Sequence, residues 1–181
     1  MLRLCGDSVY LQEFSKENLA DPCYHAWLRD LDVVRTIYRL EYLMPIAFSE
    51  IEDYVKGLWS SDRDCYFALY VKDGEHFIGT VRVGHIDWRA GIADIGILVG
   101  DRSYQGRGLA TDAVSTACKY AFEELSLRKM TGGTPAINTA MCRCFERVGF
   151  SEEGRLRKQL LISGEFCDHV LYGLFKEEFK G

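Results

Sequence analysis

No window of the 181-residue sequence approaches 18 uncharged apolar residues, so no membrane-crossing helix is expected. The first ten residues lack the apolar centre of a secretory signal, and together these two absences lead to the expectation of a soluble cytoplasmic chain. Positive charge is in deficit: 22 Lys and Arg stand against 27 Asp and Glu, a net charge of −5. Non-specific nucleic-acid binding needs clustered cations and is therefore not expected, whereas a cationic partner is compatible with this balance. A disulfide framework is also missing. The seven cysteines, at positions 5, 23, 65, 118, 142, 144 and 167, are odd in number and irregular in spacing, which reads as reduced, mostly buried thiols. Cys142 and Cys144 point to different faces of a helical stretch with no His beside them, so no metal site is expected. There is no internal repeat and no low-complexity linker. With 48% hydrophobic and 27% charged residues, the chain is expected to form one domain over 1–181. A chain of this size buries about 70% of its unfolded surface.

The periodicity that is present divides the chain in two. Ser8 to Phe14 alternates as a first strand, and Ser15 then offers an N-cap to a helical segment, Lys16 to Arg29, that Pro22 starts or breaks. A short helical piece is expected in Leu31 to Tyr38 and a loop from Arg39 to Phe48. Ser49-Glu50-Ile51-Glu52 matches a capping box ahead of Tyr54, Val55, Leu58 and Trp59 at helical spacing. From Cys65 the pattern turns to strands. Cys65 to Val71 and His76 to Ile86 flank the Asp73-Gly74 turn, and Ala93 to Gly100 continues an antiparallel meander. Beyond a helix from Leu109, Lys129 to Thr134 reads as a strand. Asn138 to Val148 reads as a helix closed by Gly149, and Phe150 to Phe175 as a hairpin turning at Ser163-Gly164.

The stretch from Asp94 to Ala121 organises the rest. An apolar strand ends at Gly100, and Gly106 and Gly108 supply side-chain-free backbone where the chain enters the helix. Such a helix start has unpartnered N–H groups and the positive end of the macrodipole, so it suits a phosphate or pyrophosphate. A dinucleotide fingerprint is disfavoured because the third glycine is missing and the loop follows a meander. A P-loop is excluded because no Gly-Lys-Ser/Thr follows.

Four pieces carry a family resemblance: Asp94-Ile95-Gly96-Ile97; Tyr104-Gln105-Gly106-Arg107-Gly108-Leu109-Ala110; Asn138 with Glu146-Arg147-Val148-Gly149-Phe150; and Glu153-Gly154 with Gly164-Glu165 and Asp168. In this order the segment Ala93 to Phe175 resembles the GNAT superfamily of acyl-CoA-dependent N-acetyltransferases. The likeness is to the branch with ribosomal-protein N-terminal, spermidine and amino-sugar acetyltransferases. The resemblance implies a mixed α/β fold, a mostly antiparallel twisted sheet of about seven strands flanked by helices and splayed at the acetyl-CoA site. It implies that amides from Gln105, Gly106, Arg107, Gly108, Leu109 and Ala110 cradle the CoA pyrophosphate, that pantetheine runs along Ile97, Leu98 and Val99, and that Asn138 belongs to the cofactor site. A backbone N–H near Leu98 would polarise the acetyl carbonyl.

Direct attack on the thioester needs a neutral amine. At pH 7 deprotonation costs about 4.6 kcal/mol for a lysine-like amine and about 1 kcal/mol for an α-amine. The resemblance makes Asp94 the leading base, acting directly or through water. If the hairpin around Asp87 to Ile92 pairs symmetrically, His85 faces Asp94 as a second relay candidate. Where many relatives carry a proton-donating Tyr this chain has Phe145, which leaves Tyr172, Tyr104, Cys142 or water as the acid. The acceptor is expected to be a small-molecule primary amine, a nucleotide-linked amino sugar or a polyamine, with a protein N-terminus as the alternative. Tyr24, Trp27, Tyr38, Tyr42, Tyr54 and Trp59, amid the acidic Asp30, Asp32, Glu41, Glu50, Glu52 and Asp53, are the residues suited to shape its site. A non-catalytic acyl-CoA-binding module is the other reading, and the chain is expected to act as a monomer or homodimer.

Overall fold

The structure, a computed structural model, describes residues 2–34 and 47–181. Tyr38, Glu41 and Tyr42, most of the Arg39 to Phe48 loop and the end of the Leu31 to Tyr38 piece lie outside the described residues. Among the described residues eight strands form one sheet: β1 (Arg3–Cys5), β2 (Val9–Glu13), β3 (Cys65–Val71), β4 (His76–Asp87), β5 (Ile92–Val99), β6 (Lys129–Pro135), β7 (Ser151–Ile162) and β8 (Glu165–Phe175). Their order is β1-β2-β3-β4-β5-β6-β8-β7, and every neighbouring pair is antiparallel except β5–β6. The strand beyond the expected count is β1, whose Leu4 pairs with Leu11. Asp112 holds its turn from the far side of the core, accepting the N–H groups of Asp7, Ser8 and Val9 at 2.9, 2.6 and 3.0 Å.

Helices cover both faces. On one lie α5 (Leu109–Glu123) and α6 (Thr139–Val148); Ala113, Val114, Ala117 and Ala121 of α5 meet Leu11, Phe67, Val81 and Ile95 of the sheet in the main core. The other face carries α1 (Lys16–Ala20), α2 (Pro22–Arg29), α3 (Leu31–Val34) and α4 (Phe48–Trp59), where Tyr24, Trp27, Ile51 and Val55 pack with Ala68 and Leu98. The helix expected from Lys16 is broken in two at Asp21-Pro22. Asp21 accepts from Cys23 N–H at 2.8 Å, and Pro22 opens α2 where its missing N–H costs nothing. Ser15 caps α1 as expected, with Asn18 completing a reciprocal box.

Ser49 is not the cap of α4. The cap is Ala47 and the helix begins at Phe48, two residues earlier than a Ser49 cap would start it, because Glu50 reaches back to the Ala47 N–H at 2.8 Å. All seven cysteines are free, but only Cys118, Cys144 and Cys167 are buried; Cys5 and Cys23 are exposed. Among the described residues no helix is long and apolar enough to cross a membrane.

Candidate active site

The site begins where two strands part. β5 and β6 run in parallel and pair only through Ile92↔Lys129, Ala93↔Met130 and Asp94↔Thr131; beyond Asp94 the two strands separate. At the fork Thr131 Oγ1 lies 3.1 Å from the Ala93 carbonyl and 3.3 Å from Asp94 Oδ1. Two glycines let β6 bend away. A Cβ at Gly132 would collide with the Phe145 ring on the α6 side, and one at Gly133 with the His169 ring on the opposite side.

The open edge of β5 follows from hydrogen-bond parity. Gly100 N–H bonds the Ile78 carbonyl at 2.9 Å, and the register runs Thr80↔Leu98, Arg82↔Gly96, Gly84↔Asp94. Antiparallel alternation therefore commits the backbone groups of Leu98, Gly96 and Asp94 to β4 and turns those of Ile95, Ile97 and Val99 toward the opening. Gln105 Nε2 takes the Val99 carbonyl from that side at 2.9 Å. Leu98 N–H is thus spent inside the sheet, and its side chain is buried under α2 and α4, so of the N–H groups near Leu98 expected to polarise a carbonyl it is not the one that faces the cleft. Ile97 presents its N–H to the opening instead.

At the end of β5 the loop enters α5 as expected. Gly106 and Gly108 hold φ of 73° and 80°, a left-handed backbone that a side chain would strain, and a Cβ at either would meet nothing within 4 Å. The Gln105 amide is not part of this cradle, since it donates to the Arg102 carbonyl at 3.2 Å. The first intrahelical bonds run from Thr111 and Asp112 to Gly108 O, so the amides of Gly106 through Ala110 surround the helix start. Arg107 extends over the Tyr104 ring, 5.1 Å from its centroid. Asn138 caps α6, its Oδ1 accepting Met141 N–H at 3.2 Å.

On the α2/α4 face a cavity of about 210 Å³ opens over β4 and β5, lined by Tyr24, Tyr54, Tyr66, Arg82, His85 and Asp94 among others. Tyr24 and Tyr66 hydroxyls are 3.0 Å apart. His85 does not face Asp94. A bulge between Gly84 and Asp87 breaks the symmetric pairing, puts Gly84 opposite Asp94 and leaves His85 exposed at φ 52°, with its N–H on Asp64 Oδ1 at 3.3 Å. The bulge is anchored by a pair that sequence reading missed: Asp64 Oδ1 meets Arg82 Nη2 at 2.6 Å and Nε at 2.8 Å. Burial opposes the Asp64 charge, but the Ser61 hydroxyl, Arg82 and the His85 N–H outweigh it and hold the carboxyl below its ordinary value.

A second cavity shares Asp94 and Gly133 and adds Thr131, Glu153, His169 and Tyr172. Tyr172 pairs with Gly132, so its side chain lies on the α6 face, opposite Asp94; it is buried with its ring 5.1 Å from Phe145. Burial first, then the Cys142 thiol, pushes its phenol well above the usual range. Of the remaining acceptor candidates, Trp27 is core, Trp59 donates to the Phe14 carbonyl, Asp30 and Asp32 pair with Arg102, Glu50 caps α4 and Glu52 meets Lys56. Among the described residues no cluster suited to a metal ion occurs.

This parted sheet with an anion-ready helix start is an acyl-transfer architecture, and comparison with known proteins agrees. The model of the acetyltransferase (GNAT) domain matches residues 9–151. The probable N-acetyltransferase YjcK of Bacillus subtilis is 31% identical over 129 residues, 71% of this chain and 70% of that one. Spermidine N(1)-acetyltransferase of Escherichia coli is 26% identical over 175 residues, 95% and 88% of the two chains. The solved spermidine N-acetyltransferase from Vibrio cholerae, in complex with CoA and spermine, shares the fold at a TM-score of 0.85 and 20% identity, covering 96% of this chain and 99% of that one. The chain belongs to the GNAT acetyltransferase family, and its activity class is N-acetyl transfer.

Proposed function

We propose that this protein moves the acetyl group of acetyl-CoA to the primary amine of a small molecule by direct attack of the amine on the thioester. The parting of β5 and β6 at Asp94–Thr131 carries this reading. It joins the open β5 edge, which leads to the amides at the start of α5, to a cavity on the opposite face. The amides of Gly106, Arg107, Gly108, Leu109 and Ala110 receive the pyrophosphate, and Ile97 and Val99 offer backbone groups to the pantetheine as an added strand would. Ile97 N–H takes the oxyanion role.

Asp94, at the fork, receives the ammonium and draws its proton directly or through water. His85 belongs to the cavity wall, where its exposed ring is a second group within reach of the acceptor. Tyr172 stays on the cofactor side, where its firmly held proton makes it a hydrogen-bond donor to the departing thiolate. Hydroxyls of Tyr24, Tyr54, Tyr66 and Thr80 beside Arg82 suit a hydroxylated acceptor, so an amino sugar, free or nucleotide-linked, is preferred over a polyamine. The protein is expected to act as a monomer or homodimer.

Thiol release from acetyl-CoA, measured over a panel of amino sugars, polyamines and N-terminal peptides, tests the reading. Turnover with a small amine is expected, with Asp94→Asn lowering kcat/KM by about 10²-fold or more. Tight CoA binding without turnover above hydrolysis would point to a binding module, and turnover with peptides alone to a protein N-terminal acetyltransferase.

A further inference from the structure

The second cavity holds a titratable group that the reading above does not use. His169 on β8 pairs with Pro135 of β6, on the same sheet face as Thr131 and Gly133. Its imidazole leans back along the strand until Nε2 occupies the space that a side chain at Gly133 would fill. Gly133 is two residues from Thr131, the partner of Asp94, so about 7 Å of strand rise separates the ring from the fork. The same cavity touches both Asp94 and His169.

Other charges around the ring are accounted for. Glu153 of β7 is held by Lys129 Nζ at 2.6 Å, Asp168 by Arg155 at 3.7 Å, and the residue opposite on β7 is the apolar Leu156. Tyr172 lies on the other side of the sheet. Burial alone lowers the His169 pKa, and neither a hydrogen bond nor a neighbouring charge contributes. The ring is therefore a neutral acceptor at pH 7, whose imidazolium is not captured by a carboxylate.

We propose that His169 is a catalytic base of this enzyme, receiving by way of Asp94 the proton that must leave the acceptor ammonium before attack. This rests on the acetyl-transfer reading above and names the destination of the proton in it. The steps balance as follows. The ammonium gives one proton to Asp94 and becomes a neutral amine, and the proton passes on to His169 Nε2 through a water in the shared cavity. Its nitrogen lone pair forms the C–N bond to the acetyl carbonyl, and the C–S bond breaks. The second nitrogen proton ends on the departing thiolate, and imidazolium returns the first to solvent through the cavity mouth. A primary ammonium and a thioester thereby become an amide, a thiol and one free proton.

The test is the pH profile of kcat/KM for an acceptor that the wild-type protein turns over, in wild type, His169→Gln and His169→Ala, with CoA binding by calorimetry as the check on folding. His169→Gln is expected to lose about 10²-fold at pH 7, to lose the wild-type acid limb, and to recover toward pH 9.5 as the amine deprotonates unaided. His169→Ala is expected to regain activity with added imidazole. Variants that bind CoA normally and keep kcat/KM within threefold, with the acid limb intact, would overturn the role of His169 alone. A wild-type protein that binds CoA yet acetylates no amine would overturn the acetyl-transfer reading and this inference with it.

Discussion

Replacing Asp64 by Asn tests the pair beneath the acceptor cavity. Arg82 is buried to 15% exposure and Asp64 to 11%, with nitrogens at 2.6 and 2.8 Å from one carboxylate oxygen. At a charge separation of about 3 Å and an effective dielectric of about 20, their attraction is about 5.5 kcal/mol. The introduced amide still accepts one hydrogen bond from the charged Arg82, worth about 2 kcal/mol. Water reaching the remaining exposed edge recovers part of the rest, so a loss of about 3 kcal/mol is expected, the low end for breaking a buried pair. In a chain of this size that is about 6–12 °C in Tm. The sign with pH follows from the depressed folded-state value of Asp64: its contribution is complete above the ordinary carboxylate value of 3.8 and is lost as pH falls through the folded value. Urea midpoints of wild type and Asp64→Asn should therefore differ at pH 7 and converge in acid. The acceptor KM should rise with the stability loss, because Arg82 lines the cavity. A variant within 0.5 kcal/mol of wild type at pH 7, or a gap constant down to pH 3, would refute the reasoning.

Phe145→Tyr is not expected to restore a proton donor. A Cβ built on Gly132 would sit 2.5 Å from Phe145 Cζ, so the new hydroxyl is driven into β6, costing about 1–3 kcal/mol in thermal melts with no gain in kcat. A raised kcat would show room at the ring tip. Asp112→Ala strips the acceptor from three N–H groups of the β1–β2 turn and should cost about 2–4 kcal/mol. Hydrogen exchange should then show protection lost at Ser8 and Val9 and kept in β8; uniform loss would contradict a local role.

Elements with a local cause were legible in the residues. Ser15, Pro22, Asp73-Gly74, Gly108 and Gly149 each act within a few positions, and each stands at or beside the boundary expected of it. What escaped depends on register. A symmetric hairpin would put His85 opposite Asp94, but one bulge, held by Asp64 more than twenty residues away, gives that place to Gly84. The resemblance places an oxyanion donor near Leu98 without fixing the residue, and hydrogen-bond parity, set by Gly100 and Ile78, turns the Ile97 N–H and not that of Leu98 toward the opening. His169 was missed because its place comes from two successive pairings, β6 with β5 and β8 with β6. Counting by twos from Gly173 through Leu171 would have put it on the right face once β8 was paired.

The fork ties these errors together. At Asp94–Thr131 the ladder ends, and every residue beyond it has two neighbourhoods, one per sheet face, plus an edge. Even-numbered residues of β5 turn their side chains toward the acceptor cavity and spend their amides on β4. The odd-numbered ones bury their side chains against α5 and keep backbone groups for the opening. On β6 the paired glycines let a ring lie on each side, Phe145 below and His169 above, so the gap is held open by packing on both faces. In the proposed reaction, acceptor chemistry at Asp94 and cofactor chemistry at Ile97 would thus be separated by the thickness of one strand. Changes that shift register by one residue should abolish transfer even where the fold survives, since they exchange the two roles at once.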